Sequence, residues 1–455
     1  MTYDDALRWL LTLPDFERTG DFADRPDIGP MLALLRELGD PHLGRASIHI
    51  AGSKGKGSTG AMIEAVPRAA GLSTGHYISP HLHRWNERIR LAGQPIAPEG
   101  FAVAMEQVRP ALERVAAQFP ERQLLAFDAL TAAAFVAFRE ADVAAQIIEV
   151  GLGGLLDSTN VFHAQSDEPT PHVVVLTPVS LEHTAILGDT IPKIAAQKAG
   201  VITEDCTVVV APQRESALDV FNETARDRHA TLIGVAKSCQ LERKSANADG
   251  QDFRLKTPRA TYAAHLPLAG RHQLDNAATA VLACEELCDR AGVELTEPQV
   301  RAGLASFLWP ARLETLKRKP WVIIDGAHNG DSVKSMAAAV RDDFGLRSAV
   351  LLFGTVAGKD VAAMAQAAAP ITASVFVTSW PSARAMDPHD AARAFRDAGG
   401  MVTTFSSLPD AYEAAVTEAG ERGAVVAFGS LAFVAAVREC VLGIESAAMR
   451  LAVPQ

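Results

Sequence analysis

Residues 47–59 read SIHIAGSKGKGST. A β-branched run ends in a glycine-rich turn, and helix-forming sequence follows it. Gly52, Gly55 and Gly57 let the backbone curl so that its N–H groups, together with the helix N-terminus at Ser58, face a phosphate, with Ser53 inside the same turn. Lys56 is then expected to reach the β- and γ-phosphates of a nucleotide. The strict pattern G-x4-G-K-[ST] is not met, because Ile50 stands at the first glycine position and Gly57 separates Lys56 from Ser58. The stretch is read as a variant P-loop, set against the plainer reading of a flexible Gly/Lys/Ser turn with no ligand.

Working outward, short apolar runs alternate with helix-length segments, the pattern of a parallel sheet covered by helices. Strands are expected at Ser47–Ile50, Ile147–Val150, Val173–Thr177 and Val208–Ala211, with a largely buried helix over Phe127–Glu140. A second series begins near Trp321: WVIIDG, a helix, SAVLLFG, a helix, SVFVTSW, two helices, AVVAFGS and a last helix. That series is a doubly wound unit by itself. LWPARLE, around Pro310, is the linker candidate, and the polar segment Leu241–Leu266 is a β excursion on the first unit. The expected architecture is therefore α/β in two domains: an N-terminal P-loop parallel-sheet domain over residues 1–308 and a C-terminal doubly wound, Rossmann-like domain over 309–455.

A chain of 455 residues exceeds the size at which one core stops growing, which agrees with two domains. With 48% hydrophobic and 21% charged residues it has globular composition. A formal charge of −11 argues against a nucleic-acid surface, so an anionic substrate needs a local cluster of cations. No apolar run approaches the ~18 residues of a bilayer span, and MTYDDALRWL lacks the regions of a signal peptide, so a cytoplasmic location is expected. The five cysteines lack metal spacing, and the Cys284/Cys288 pair reads as core filler on one helix.

Eight segments occur in order: HIAGSKGKGST (49–59), YISPHLHRWNERI (77–89), IEVGLGGLLDSTN (148–160), SLEHTAILGDT (180–190), IAAQKAG (194–200), GRHQLDNAATA (270–280), WPARLE (309–314) and IIDGAHNG (323–330). This series resembles the signature of folylpolyglutamate synthases and dihydrofolate synthases, which are Mur-ligase-like enzymes. The resemblance implies an ATP-dependent ligase that turns a carboxylate into an acyl phosphate and couples it to L-glutamate. Such chemistry needs a phosphate loop, Mg²⁺ and basic residues converging on the γ-phosphate.

Glu149 closes the apolar run QIIEV at the carboxyl edge of a parallel sheet, where such folds bind ligands. The resemblance adds Ser79 and His183 to it as metal-associated residues. It implies a carbamylated lysine at Lys198, against the plainer reading of a surface lysine on its helix. Gln197 departs here from the usual glutamate. Gln273 and Asn276 are implied beside the adenine, and both are also plausible caps at a helix N-terminus. Arg312, Asp325 and His328 are implied to face the phosphates and reacting groups from the second domain. Taken alone, Arg312 reads as a linker salt bridge and Asp325 as a turn residue.

Asp157 and Ser158, with the helix start at Leu125–Asp128, match places that meet the pterin-bearing substrate. Leu155, Gly330 and Gly358 stand where the family commonly has arginine, proline and aspartate, which touches substrate orientation more than the ATP chemistry. The expected partners are small molecules: dihydropteroate or a reduced folate, L-glutamate and ATP, with the chain a monomer. Bifunctional dihydrofolate and folylpolyglutamate synthesis is preferred over polyglutamylation alone. A Mur-type peptidoglycan precursor enzyme is disfavoured because only a short helical leader precedes residue 52. A non-ligating ATP-binding paralogue is the remaining alternative.

Overall fold

The computed structural model describes residues 1–15, 27–162 and 173–444. Its first sheet has eight strands: β1 (Ala46–Ala51), β2 (Thr74–Tyr77), β3 (Ile89–Leu91), β4 (Gln94–Pro95), β5 (Ala145–Glu149), β6 (Val173–Leu176), β7 (Thr207–Val210) and β8 (Thr231–Gly234). Their spatial order is β4-β3-β2-β5-β1-β6-β7-β8. β1 lies parallel to both β5 and β6, pairing Ile50 with Glu149 and with Val175. The central strands are apolar on both faces because helices cover both sides. Along β6 the period of two is visible: Val173 and Val175 enter the core under the helix His272–Arg290, while Val174 and Leu176 enter the one under the helices Ile191–Ala199 and Glu215–Asp227. The expected helix over 127–140 is Ala126–Glu140, buried along most of its length.

β9 (Gln240–Asn247), β10 (Gly250–Lys256) and β11 (Thr261–Leu266) form a separate antiparallel sheet, the excursion expected over Leu241–Leu266. Cys284 and Cys288 are buried and unpaired. The second large sheet comprises β12 (Glu314–Arg318), β13 (Trp321–Ile324), β14 (Ala349–Phe353), β15 (Thr372–Val377), β16 (Val402–Thr404) and β17 (Ala424–Phe428). Its order is β12-β13-β17-β14-β15-β16, parallel except for the edge strand β12.

Six strands escaped the sequence reading: β2 (TGHY), a buried strand of four residues without an apolar run, the edge strand β8 (TLIG), and four further pieces. β3 and β4 are three and two residues long, too short for a periodicity. β12 reads as the charged ETLKR, and β16 is three residues between the two helices expected there. Apart from β2, each is an edge or near-edge piece without the double-sided burial that makes central strands legible. No helix of the described residues is long and apolar enough to cross a membrane.

Candidate active site

Both large sheets present their carboxyl edges to one region, and the phosphate loop lies at its centre. Gly52 has φ +149° and lies against Thr177; Gly55 caps the helix Lys56–Ala69 with φ +85°. A Cβ on Gly55 would lie 2.6 Å from the Asn276 Oδ1, so the loop is closely covered there. The backbone N–H groups of Ser53 and Lys54 donate to the Pro178 carbonyl, and the Ser53 hydroxyl donates to that of Ser180. Gly57 leaves room for the Trp309 ring, and Ser58 is buried in the first helical turn.

Two lysines share one backbone acceptor. Lys56 Nζ donates to the Gly52 carbonyl at 3.2 Å and Lys198 Nζ donates to the same oxygen at 2.9 Å. Lys198 also pairs with Glu182 at 3.0 Å with its side chain only 2% exposed, which overturns the surface-lysine reading. Its helix turns it inward because Ile194, Ala195 and Lys198 share one stripe. Burial lowers its pKa to about 8, with Glu182 opposing the shift. Burial raises the Glu182 carboxyl, but the Lys198 and Lys56 charges leave it below its ordinary value.

Glu149 is buried at the end of β5. Burial raises its pKa to about 7 even though Lys56, Arg312 and the Ser79 backbone all favour the anion. Among the described residues no cation lies within ion-pair distance of it, so the site holds an acid whose counter-charge is supplied only from a distance. His183, exposed, takes the left-handed region at φ +46° as the cap of the short helix Thr184–Leu187.

From the second sheet, Asp325 follows β13 and accepts from the backbone N–H of Leu313 at 2.9 Å and of Ala327 at 2.8 Å. Burial raises its pKa, and the neighbouring Arg312 charge opposes the rise. Arg312 donates to the Ala311 carbonyl at 2.9 Å; burial lowers its pKa, and the Asp325 and Glu149 charges oppose the fall. Its flanking residues Ala311 and Leu313 both have positive φ, at +58° and +50°, a strain of about 1–3 kcal/mol each that the surroundings must hold. His328 donates from Nδ1 to the Gly326 carbonyl at 2.9 Å, which leaves Nε2 as an acceptor; burial lowers its pKa to about 4, so the ring is neutral.

Gln273 and Asn276 lie in the first turns of His272–Arg290, but the cap is Arg271 and no side chain caps it. Instead Asn276 donates to Gln273 at 2.9 Å and faces Gly55. Asp157 is spent on its own loop, accepting from Leu152 and Thr159, and Ser158 donates to Asp128 at 2.7 Å. Asp128 in turn accepts from the Leu125 backbone at 2.7 Å, so the loop is tied to the helix start expected beside it.

The sequence reading passed over Glu182, Arg88 and Trp309. Glu182 adjoins His183 and could have been found as the anion that a buried lysine demands. Arg88, fully buried and stacked over Trp85 at 4.8 Å, and half-buried Trp309, stacked on His76 at 6.2 Å, carry no local signal of these contacts.

The donor set fits nucleotide phosphates, since a helix N-terminus and two lysines parked on a carbonyl face one region. It also fits Mg²⁺, which takes oxygen ligands and keeps waters, so one unpaired buried carboxylate beside the phosphate loop suits it. Among the described residues no group of three or more His, Cys, Asp and Glu forms a protein-only metal cage.

Comparison with known proteins identifies the family of the chain. Residues 123–284 match the Mur ligase middle domain, and residues 311–431 match the Mur ligase glutamate ligase domain. The chain is 32% identical to the folylpolyglutamate synthase of Lacticaseibacillus casei, covering 98% of this chain and 100% of that protein. It is 31% identical to the dihydrofolate synthase/folylpolyglutamate synthase of Bacillus subtilis, over 96% and 98% respectively. Among solved structures, the folylpolyglutamate synthase of Mycobacterium tuberculosis complexed with ADP and AMPPCP superimposes with a TM-score of 0.88 at 32% identity, covering 98% of this chain and 100% of that one. The chain thus belongs to the folylpolyglutamate synthase/dihydrofolate synthase family of Mur ligases and is an ATP-dependent ligase.

Proposed function

We propose that this enzyme joins the amine of L-glutamate to the carboxylate of dihydropteroate and, in a second activity, to the terminal carboxylate of a reduced folate. A carboxylate oxygen attacks the γ-phosphorus of ATP and ADP leaves, giving an acyl phosphate. The glutamate amine then attacks the carbonyl carbon, phosphate departs with the C–O bond, and the amine sheds its proton. The observation that carries this reading is the convergence on Glu149 of Lys56 from the first sheet and Arg312 from the second, whose charges both favour its anion.

In this reading Gly52, Ser53, Gly55, Gly57 and Ser58 cradle the phosphates, and Lys56 leaves the Gly52 carbonyl to neutralise them. Arg312 meets the γ-phosphate from the opposite side, held by Asp325. Gln273 and Asn276, covering Gly55, border the adenine. The neutral His328 offers Nε2 to the incoming glutamate, while Asp157 and Ser158 shape the loop that receives the pterin. Mg²⁺ at Glu149, with Ser79 and His183 beside it, would supply charge neutralisation at the phosphates.

Lys198 is the candidate for carbamylation, because a pKa of about 8 leaves about a tenth of it as free amine at pH 7, ready to add CO₂. Carbamylated, Lys198 would lose its ion pair with Glu182, and the two anions would then be groups able to hold a cation. Residues 1–308 serve ATP and residues 309–455 complete the site for ligation, in a cytoplasmic monomer. The choice of two activities follows the double name of the Bacillus subtilis relative, whereas the Lacticaseibacillus casei relative bears the polyglutamylating name alone.

Glutamate-dependent ADP release, measured separately with dihydropteroate and with a tetrahydrofolate monoglutamate, tests the proposal. Release with both acceptors is expected. Release with the folate alone reduces the enzyme to polyglutamylation, and release with neither overturns the reading.

A further inference from the structure

A partly buried network away from the phosphate loop joins the two sheets. Arg438, on the helix Leu431–Leu442, donates from Nε to Glu314 at 3.0 and 3.2 Å. Its Nη1 reaches His83 Nε2 at 3.1 Å, and His83 Nδ1 meets Glu439 at 2.9 Å. Arginine has only donors, so His83 Nε2 must accept and Nδ1 must carry the proton given to Glu439. The imidazole is thereby fixed in one neutral tautomer. These four side chains are between 9% and 22% exposed, unlike the surface pairs elsewhere on the molecule.

Each end of the network reaches toward a residue of the site. Glu314 accepts from the backbone N–H of Ala311 at 2.8 Å, and so holds one of the two positive-φ residues that flank Arg312. His83 belongs to a loop whose backbone N–H groups at Leu82, His83 and Arg84 all donate to Glu87. That loop follows Ser79 directly, and its Leu82 packs into the core of the second sheet.

We propose that Arg438 is a positioning residue for ligation: through Glu314 and His83 it sets together the strained turn that aims Arg312 and the loop that carries Ser79. The inference rests on the phosphate-facing role given to Arg312 above. Arg438 does this as a fixed fork, presenting Nε to one domain's turn and Nη1 to the other domain's loop, a geometry lysine cannot reproduce.

The test compares R438M, H83L, H83Q and the double variant H83L/R438M, with R438M also in an R312Q background, by kcat and KM for ATP-dependent glutamate ligation. Misplacing a catalytic group by about an ångström costs up to about a hundredfold in rate, so R438M should lower kcat by about 10- to 100-fold with a smaller change in KM. H83L should act in the same direction, and H83L with R438M should be no worse than R438M alone. H83Q keeps an acceptor for Arg438 and a donor for Glu439, and should recover most of what H83L loses. In the R312Q background R438M should add little.

Full multiplication of the R438M and R312Q losses, or an H83Q as poor as H83L, overturns the proposal. If R438M fails to fold, the H83L and H83Q pair decides alone. Calorimetric affinity for AMPPCP separates this inference from the ligase reading. In a chain that binds the nucleotide without ligating, R438M weakening AMPPCP only where Arg312 is intact supports the positioning role, and equal weakening in both backgrounds overturns it.

Discussion

Glu149 and Asp325 are both buried acids at the carboxyl edge of a parallel sheet, one in each half of the molecule, and their surroundings are opposite. Asp325 has both oxygens filled by backbone N–H groups and a guanidinium alongside. Glu149 has neither a partnering cation nor a side-chain donor, and burial drives its pKa up to about 7. Lys56, whose charge acts on it, is parked beside Lys198 on the Gly52 carbonyl. The first half is therefore left electrostatically incomplete, to be completed by ligands that bring their own charge. The second half is finished in advance, because its task is to hold a side chain still.

The widest separation between the halves is expected for Lys56→Ala. Lys56 makes one bond, to Gly52, and contributes no core packing, so the loss falls on the phosphates rather than the fold. Turnover should drop on the order of 10²–10³-fold, as for loss of one group that stabilises transition-state charge. The melting temperature should stay within about 2 °C of wild type. ADP-release kinetics and a thermal melt on the same preparation check both parts. A large fall in melting temperature would move Lys56 from the chemistry into the architecture.

The isosteric changes Glu149→Gln and Asp325→Asn should differ in sign. Asparagine presents an NH₂ where Asp325 accepts from a backbone N–H, leaving a buried donor without an acceptor, at a cost of about 1–3 kcal/mol at any pH near neutral. For Glu149 the folded pKa lies above the ordinary 4.5, so the folded chain holds this proton more firmly than the unfolded one. The resulting contribution is full below about pH 4.5 and is lost as pH rises through about 7. In metal-free buffer, Glu149→Gln should therefore gain on wild type between pH 5 and pH 8, by roughly 2–3 kcal/mol at most. Denaturant titrations at the two pH values measure it. An equal gap at both would mean that Glu149 has a partner after all, and the contrast with Asp325 would fall.

Much of this was legible in the chain, for reasons that differ by element. β1, β5, β6 and β7 announce themselves because double-sided burial leaves short runs rich in Val and Ile, unbroken and apolar in VVVL of β6. Gly55 is legible because its φ of +85° and the closeness of Asn276 both exclude a side chain. By contrast, the burial of Lys198 is invisible locally, since it depends on which face of Ile191–Ala199 meets the sheet and on Glu182 sixteen residues earlier. The role of Asp325 as an acceptor for Leu313 depends on a turn twelve residues away. Arg438 and His83 lie 355 residues apart, and no spacing rule reaches across that distance. Patterns that repeat along the chain were readable; contacts that the fold alone creates were not.

The smallest expected effect lies where the halves touch at the surface. Lys54, in the phosphate loop, pairs with Asp331 at 3.2 Å, with Arg214 at 4.0 Å from the same carboxylate. Asp331 is 62% exposed and Lys54 25%, so water screens the attraction and about 0–1 kcal/mol is expected, well below the Asp325 value. Burial lowers the Lys54 pKa while Asp331 opposes the shift, which shows the lysine losing water that the partner replaces only in part. A double-mutant cycle on Lys54→Gln and Asp331→Asn should give a coupling under about 1 kcal/mol that fades toward zero in ~1 M salt, where the Debye length is about 3 Å. The cost of Asp325→Asn should be unmoved by the same salt, because its partners are buried backbone groups. AMPPCP should shrink the Lys54–Asp331 coupling further, since phosphates at the loop compete for the lysine. A coupling above about 2 kcal/mol that resists salt would place Asp331 with Asp325, as a finished contact of the second half rather than a provisional one of the first.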